Sequence, residues 1–478
     1  MTLQIDAAAP DSEGDTTKDH AVAIGPVSTL WLGGLFARDP IRAMQWTYNR
    51  YGPLAVADIP FVKKPQRFIF AVGARYNERV LGDPATFHTV GLMPSGPENS
   101  AQRRIRSGII SMNGGRHGHY RRMMRPPFRR AVVDSLVAQI AIIVEQQISG
   151  WPLGEIVDLV PLLNEIARNV ALALLFGNDT AEGLKVAGLL NSHIRMAEAA
   201  GVRGCPINWP GLPYRRMLRH AEKVETCVTS WAARRRGQVR ADDLLSLIVN
   251  SPDESGNLPT DQQVGRHVLT LFAASFETCQ TALAWALFLI AQHPAGAAAL
   301  LDEVSTWPAE DRMSADRLEQ CSLLDAVVKE SMRVLPPVPF QVRRAMQDTS
   351  LIDCEIKAGT RVILSSFLTN RLPDVYHDGD RFRPQRWAQI APSQYEYLVF
   401  SAGPRTCIGY WFGMTFLKTA LASIVRRRRL TLVPGARIDS RVALTMWPSR
   451  GLPVVIHTQN GLFRASPIRG NIRRLVRC

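Results

Sequence analysis

One cysteine stands in a segment whose neighbours could prepare it to bind a metal. The segment FSAGPRTCIG runs from Phe400 to Gly409 and places Cys407 near Gly403 and Arg405. A thiolate binds metals and donates electron density when backbone N–H groups or positive charges stabilise it. The next residues, GYWFGMTFLKTALASIV, predict a helix that could begin beside the cysteine and supply such N–H groups. Taken alone, the cysteine could equally be a small buried hydrophobe.

The residues around the cysteine would suit a flat, anionic ligand. Gly403 and Gly409 would permit tight turns and the close approach of such a ligand. Phe400 could cover an apolar face of it, and Arg405 could pair with an anionic group. Short motifs of this kind also arise by chance, so the rest of the chain has to decide.

A second group of reactive residues lies inside the longest apolar pattern, residues 268–291. This pattern contains one charge, Glu277, and is long enough to span a bilayer by hydropathy. A charge near mid-membrane would cost roughly 3 kcal/mol, and the hydroxyls of Ser275 and Thr278 lie beside it. We therefore predict a buried core helix. The polar middle of that helix, with Glu277 beside Thr278, then needs a purpose, and a core threonine beside a stray acid is a poor explanation for mid-helix positions in an apolar run.

Composition predicts one large domain in a reducing compartment. No linker, composition shift or fixed-period repeat divides the 478 residues. The seven cysteines are scattered, odd in number and without a CxxC pair. The first 20 residues are polar, with five Asp or Glu against one Lys, so we expect them to be disordered.

The net charge of +15 predicts an acidic partner. Basic clusters occur at residues 116–130, 426–429 and 464–478, and each could also be a solvated face. No zinc-finger spacing or RNA-binding aromatic motif accompanies them, so nucleic acid is not the expected partner.

The secondary-structure pattern predicts a mostly α protein with small β-sheets, of the α+β class. Short strands are expected within residues 51–72, 357–367 and 451–458, and helical patterns dominate from about Tyr120 to Ile290. The β content therefore lies near both ends of the chain.

Three motifs together resemble the cytochrome P450 superfamily of haem-thiolate monooxygenases. FSAGPRTCIG matches the haem-binding loop of that family at every position. Upstream, KESMRVLPPVP resembles its ExxR helix, with Glu330 and Arg333 one turn apart, and FRPQRW resembles the segment that would add Arg386 to that pair. The resemblance covers about residues 40 to 458.

The resemblance implies the organisation of the fold and its cofactor. It implies the cytochrome P450 fold, with haem b (iron protoporphyrin IX) between the long central helix and the helix after the cysteine. The expected domain covers residues 21–458, preceded by the disordered segment 1–20 and followed by a basic C-terminal tail, 459–478, to which we assign no role.

The resemblance also implies roles for individual residues. Cys407 would ligate the iron, and Phe400, Gly403 and Gly409 would shape the loop around the haem. The propionates would be held by His117, Arg121, Arg343 and Arg405. The cluster of Glu330, Arg333 and Arg386 would brace the haem loop. A metal site of His117 with His119 is disfavoured, since residues two apart on a helix point to different faces.

AASFETC, residues 273–279, resembles the oxygen-activation segment of the family. Glu277 and Thr278 would be its catalytic residues, delivering protons to dioxygen. The family usually has Gly where this chain has Ser275, which could narrow the oxygen pocket or add a second hydroxyl. Smaller departures are Gln385 and Gly413, where many members have Glu and Ala.

The expected function is oxidation of an apolar small molecule with O₂ by a cytoplasmic monooxygenase that lacks a transmembrane segment. No GxGxxG or GxxxxGK[ST] loop is present, so electrons should come from a separate acidic ferredoxin or flavodoxin. The alternatives are a P450-like peroxygenase or isomerase that needs no external electrons, and a non-catalytic haem protein such as a sensor or electron carrier.

Overall fold

The structure is a computed structural model that describes residues 21–477 with internal gaps. The undescribed internal positions are 60–65, 92–93, 178–179, 237–243, 251, 253–255, 307–312, 353 and 444. The segment expected to be disordered, residues 1–20, lies outside the described residues.

Helices form most of the described chain. The α-helices are α1 Pro26–Arg38, α2 Pro40–Tyr51, α3 Ala74–Leu81, α4 Ala101–Ile105, α5 Gly114–Met124, α6 Arg130–Ser135, α7 Val137–Ser149, α8 Leu159–Phe176, α9 Thr180–Glu198, α10 Ala200–Gly204, α11 Pro213–Arg235, α12 Leu244–Asn250, α13 Asp261–Ala291, α14 Pro294–Ser305, α15 Ala315–Gln320, α16 Ser322–Val334, α17 Ser366–Thr369, α18 Tyr410–Arg427 and α19 Ile472–Leu475. Short 3₁₀ turns include Pro126–Phe128, Pro384–Ala388, Leu398–Phe400 and Gly403–Arg405.

The strands are short and lie mainly near the two ends of the chain. They are β1 Val22–Ile24, β2 Leu54–Ile59, β3 Gln66–Ala71, β4 Phe87–Thr89, β5 Ile156–Asp158, β6 Gln341–Ala345, β7 Thr349–Leu351, β8 Cys354–Ile356, β9 Arg361–Leu364, β10 Arg428–Leu432, β11 Ser440–Val442, β12 Met446–Pro448 and β13 Pro453–Thr458. Among described residues they form a six-stranded sheet β1-β2-β3-β9-β6-β4, a three-stranded sheet β10-β13-β5 and the pairs β11-β12 and β7-β8. The strands expected in the three sequence segments are confirmed as β2, β3, β9 and β13.

The long helix α13 runs through the core. It begins with a capping box. The Thr260 hydroxyl accepts a hydrogen bond from the Gln263 backbone N–H, and the Gln263 side chain accepts one from the Thr260 backbone N–H. α13 packs on α8, α11, α16 and α18. By length and composition it is the one described helix that could cross a membrane, yet 67% of its most apolar window is buried inside the molecule. The prediction of a core helix therefore agrees with its packing.

The C-terminal tail is packed against the rest of the protein. Ile472 and Val476 are 0% and 2% exposed. The backbone N–H of Arg477 donates to Asp380 O at 2.9 Å, and its guanidinium donates to the Asp380 carboxylate at 2.6 Å. Through these contacts the tail covers the loop that follows α17.

Candidate active site

The cysteine segment is held in a tight loop between a 3₁₀ turn and α18. The Cys407 N–H donates to Phe400 O at 2.8 Å, and the Thr406 N–H donates to Gly403 O at 3.0 Å. α18 begins at Tyr410 with Gly409 as its N-cap, so Cys407 lies just before the helix, close to the predicted position.

The Cys407 side chain is exposed, although protein atoms surround its sulfur closely enough to affect its pKa. The residue is solvent-accessible, yet burial is the largest influence on its thiol and raises its pKa. The backbone N–H of Gly409 and the charge of Arg121 act in the opposite direction and favour the thiolate. The sulfur is thus both reachable by a ligand and supplied with groups that stabilise its charged form.

The two loop glycines differ in whether their position requires glycine. Gly403 has φ +62°, and a Cβ there would lie 2.7 Å from the carbonyl oxygen of Leu81, so only glycine fits without strain. Gly409 has φ −89°, which any residue can adopt, and a Cβ there would lie 3.9 Å from the Cys407 sulfur. The tight-turn argument therefore holds for Gly403, whereas Gly409 keeps the space beside the sulfur free.

Phe400 packs beside the same loop. Its ring meets the Tyr410 ring edge to face, with 4.8 Å between the centroids. A Cβ on Gly413 would lie 3.6 Å from the Phe400 ring. The aromatic side chain is therefore fixed against the first turn of α18.

Three cations converge near the cysteine loop without a carboxylate partner among the described residues. Arg121 of α5 donates to Thr406 O at 2.6 Å, Arg405 donates to the Asn113 side chain at 2.8 Å, and Arg343 of β6 donates to the Gln341 side chain at 3.0 Å. Burial and the charge of Arg405 lower the pKa of Arg343 to about 10. Burial and the charge of Arg121 lower the pKa of Arg405 to about 10.

His117 belongs to the same group and is neutral at physiological pH. Burial and the charges of Arg405 and Arg121 lower its pKa to about 4, so its ring keeps one N–H that can donate. Mutually repelling buried cations are costly unless an anion neutralises them. A ligand carrying two carboxylates, as haem does, fits this arrangement, with the Cys407 sulfur available for its iron.

The polar centre of α13 lies within electrostatic range of Cys407. Burial and the nearby Cys407 raise the pKa of the Cys279 thiol to about 12. The adjacent Thr278 hydroxyl donates to Ala274 O at 2.6 Å, and the Ser275 hydroxyl donates to Phe272 O at 3.1 Å. Both hydroxyls are thus bonded within their own helix, while their oxygens can still accept.

Glu277 titrates near neutral pH because it is buried. Burial raises its pKa to about 7, a hydrogen bond from Thr445 opposes this, and the charge of Glu198 adds to it. A carboxyl with that pKa exchanges protons readily near pH 7, as a proton relay requires. Glu198 ends α9, so α9 and the loop containing Thr445 both approach the middle of α13.

Glu330, Arg333 and Arg386 form one buried cluster. Arg333 donates two hydrogen bonds to the Glu330 carboxylate at 2.8 and 2.9 Å, and Arg386 donates a third at 2.8 Å. Arg333 also donates to the backbone carbonyls of Asn370 and Gly379, each at 2.7 Å. The cluster thereby ties α16 to the loops between α17 and the cysteine segment.

Two contacts of this site were missed by the sequence analysis. Trp387 donates to Glu330 Oε2 at 3.0 Å, and the tryptophan of the FRPQRW motif could have indicated this contact. Thr445 donates to Glu277 at 2.8 Å. Spacing along the chain could not pair Thr445 with α13, because the two residues are 168 positions apart.

The comparisons with known proteins agree with this geometry. A family model described as Cytochrome P450 matches residues 26–452. Pentalenene oxygenase of Streptomyces avermitilis is 28% identical over 357 residues, which cover 72% of this chain and 79% of that protein.

Solved structures share the fold. A retinoic acid-bound cyanobacterial protein, CYP120A1, has a TM-score of 0.78 at 20% identity, over 92% of this chain and 99% of that chain. The haem domain of cytochrome P450DA has a TM-score of 0.78 at 19% identity, over 94% and 98% of the two chains. The predicted fold is confirmed.

Proposed function

The chain belongs to the cytochrome P450 family, and from that premise we propose that it takes electrons from a separate acidic protein and oxidises an apolar small molecule. As a family member it is a haem-thiolate monooxygenase whose cofactor is iron protoporphyrin IX. When bound, the haem supplies the reductive activation of O₂ and the transfer of one oxygen atom to the substrate.

The residues of the site take distinct roles in this proposal. Cys407 supplies the thiolate for the iron. The cations Arg121, Arg343 and Arg405 neutralise the propionates, and the neutral His117 donates a hydrogen bond to them. From the middle of α13, Glu277 receives protons from solvent and passes them toward the oxygen site, where the Thr278 hydroxyl orients the transfer. The observation that carries the proposal is an exposed cysteine beside three arginines that have no carboxylate partner among the described residues, in a protein whose central helix carries an acid with a pKa of about 7.

We assign an apolar substrate from the segments that meet at the site. The Met446 N–H donates to Pro337 O at 2.8 Å, and Trp285 of α13 donates to Met446 O at 2.6 Å. Phe340 packs edge to face on Phe36, with 5.2 Å between the ring centroids. The aromatic and aliphatic composition of these segments suits a lipid, terpenoid or polyketide, and the name of one relative, pentalenene oxygenase, is compatible with that class.

The proposed electron donor docks on a basic surface beside the cysteine loop. This surface consists of Arg122, Arg125 and Arg129, all exposed. It lies near the cysteine, because Arg121, which precedes Arg122 in α5, donates to the carbonyl of Thr406, the residue before Cys407. Opposite charges accelerate encounter, and salt screens that attraction.

Charge reversal tests the docking surface. For Arg129→Glu we expect slower first electron transfer from a ferredoxin or flavodoxin and a weaker dependence of that rate on ionic strength. The matched control is Lys185→Glu on α9, which packs on α8 and α11. A transfer rate that is insensitive to salt in the unmodified protein, or equal effects of both reversals, would contradict the proposal.

Two measurements test the activity itself. The reduced, carbon monoxide-bound protein should show the red-shifted absorption of a thiolate-ligated haem, and Cys407→Ser should abolish it. Reductant should be consumed only when both O₂ and a redox partner protein are present. Turnover without external electrons would favour the peroxygenase or isomerase alternative, and absence of any turnover across a panel of apolar compounds would favour a non-catalytic haem protein.

We also propose a cytoplasmic enzyme in which the central helix α13 belongs to the core. Its apolar residues face the protein interior in the described chain. We therefore propose that the protein does not use α13 as a membrane anchor.

A further inference from the structure

The structure assigns Thr445 to the proton-delivery apparatus: we infer that it is a positioning residue that holds the Glu277 carboxylate in place. This inference rests on the proposed role of Glu277. It adds a residue from outside the motif of α13, contributed by the turn between β11 and β12.

The contact between the two side chains is direct, and its Thr445 side is shielded from solvent. The Thr445 hydroxyl donates to Glu277 Oε1 at 2.8 Å, and Thr445 is 1% exposed. A buried hydroxyl without a partner would be costly, so this hydrogen bond is strongly favoured. Because the acceptor is a carboxylate, the bond is stronger when Glu277 is ionised.

The turn that carries Thr445 is fixed on both sides. Within it, the Ala443 N–H donates to Thr445 O at 3.0 Å. The next residue, Met446, donates through its backbone to Pro337 O and accepts from the buried Trp285 indole at 2.6 Å. These contacts hold the backbone on either side of Thr445, so we infer that its hydrogen bond positions the Glu277 carboxylate.

Apart from the Thr445 hydroxyl, the described surroundings of Glu277 contain little that favours its ionised form. From α9 the carboxylate of Glu198 faces it and raises its pKa, as does burial. The turn between β11 and β12 contributes the neutral Thr445 hydroxyl. Among the described residues no cation lowers the pKa of Glu277, so Thr445 is the group that keeps this pKa from rising further.

Removing the hydroxyl should therefore shift the titration of Glu277 upward. Thr445→Val keeps the shape of the side chain and deletes the donor. A hydrogen bond to a charged group contributes about 1.5–3 kcal/mol, so we expect the midpoint to rise by about one to two pH units. The matched control, Thr445→Ser, retains the hydroxyl and should keep the midpoint.

The primary measurement is an infrared pH titration of the buried carboxyl in the resting protein, with Glu277→Gln identifying its band. The second is the yield of product per electron against pH. Loss of yield at high pH should move to higher pH in Thr445→Val, together with a several-fold lower maximal yield because the carboxylate is no longer held. Thr445→Ala gives the same test if Thr445→Val does not fold.

The outcomes separate this inference from the proposed function. A midpoint and a yield profile in Thr445→Val equal to those of Thr445→Ser would overturn the inference. A Glu277→Gln variant that retains full product yield would instead overturn proton delivery by Glu277, whatever the infrared titration shows. Support requires both a shifted midpoint in Thr445→Val and a lowered yield in Glu277→Gln.

Discussion

Thr278 and Glu277 are adjacent in sequence but differ in their contacts. The Thr278 hydroxyl donates to the carbonyl one turn earlier in α13, while the Glu277 carboxylate receives its hydrogen bond from a distant hairpin. One side chain is thus oriented by its own helix and the other by tertiary contacts. This division allows the hydroxyl to stay in place while the acid changes its protonation.

Thr278→Ala should uncouple oxygen consumption from product formation. Without the hydroxyl, proton transfer near the oxygen site is poorly oriented, so we expect electrons and O₂ to be consumed while hydrogen peroxide accumulates. Positioned proton donors contribute about 10²- to 10⁴-fold to rate, and product formation should fall within that range. The measurement is product and peroxide yield per electron, with substrate affinity nearly unchanged.

Ser275 is the control for that experiment, because its hydroxyl lies one turn away on the same helix. If Ser275 replaces part of the missing function, the Ser275→Gly, Thr278→Ala double variant should be more uncoupled than Thr278→Ala. Unchanged yields in both variants would show that neither hydroxyl takes part.

At the scale of elements, α16 is joined to the loops between α17 and the cysteine segment through one buried carboxylate. Besides Arg333 and Arg386, Glu330 accepts from the Trp387 indole and from the Arg383 backbone N–H at 2.9 Å. Both Glu330 and Arg333 are 0% exposed. Such a pair tolerates loss of one partner poorly, because the remaining charge stays buried.

Glu330→Gln should lower the free energy of unfolding by about 3–5 kcal/mol, the usual cost of breaking a buried ion pair. In a denaturant titration monitored through the haem absorption, we expect the haem to be lost at a lower denaturant concentration. Asp348→Asn is the matched control, since Asp348 pairs with Lys357 at the surface and its change should leave the midpoint unaltered. Similar midpoints for both variants would mean that the cluster does not brace the loop.

The cysteine loop depends on one close backbone approach. Gly403→Ala would place a methyl group against the Leu81 carbonyl and force alanine into a left-handed conformation. We expect a larger share of protein without thiolate-type absorption in the carbon monoxide complex. Gly435→Ala separates the two causes, since Gly435 has φ +75° but open space around it; it should cost only about 1–2 kcal/mol of strain and keep the absorption.

At the scale of the whole molecule, the C-terminal tail acts as part of the folded domain. Arg371, which follows α17, donates to the backbone carbonyls of Val334, the last residue of α16, and of Leu475 in the tail. One guanidinium therefore connects the tail to the helix that carries Glu330. The tail lies beyond the region matched by the family model, which ends at residue 452.

Deletion of residues 461–478 should lower the denaturation midpoint by removing buried apolar contacts. Ile472→Ala alone should cost about 2–5 kcal/mol, because Ile472 is completely buried. The control is Arg473→Ala with Arg474→Ala, which removes two exposed charges but no core contact. If that double variant destabilises the protein as much as the deletion does, the tail acts through its charge.

The sequence by itself determined the chemistry of this protein, because that chemistry depends on short local patterns. Cys407 in its loop, Glu330 one turn before Arg333, and Glu277 beside Thr278 each lie within a single segment, and their expected roles came from the resemblance of those segments to one family. The helix around Glu277 was also predicted, since one polar patch in a long apolar run is costly in a membrane but useful in a core.

Only the tertiary structure decided which distant segments meet. Thr445 lies 168 residues from Glu277, and Leu475 lies 104 residues from Arg371, so no periodicity links either pair. The charges of the tail dominate its composition and gave no indication of its role, whereas its few apolar residues determine where it packs. Contacts across such separations depend on how whole elements pack together, and that packing also sets the burial that raises the pKa of Glu277 to about 7.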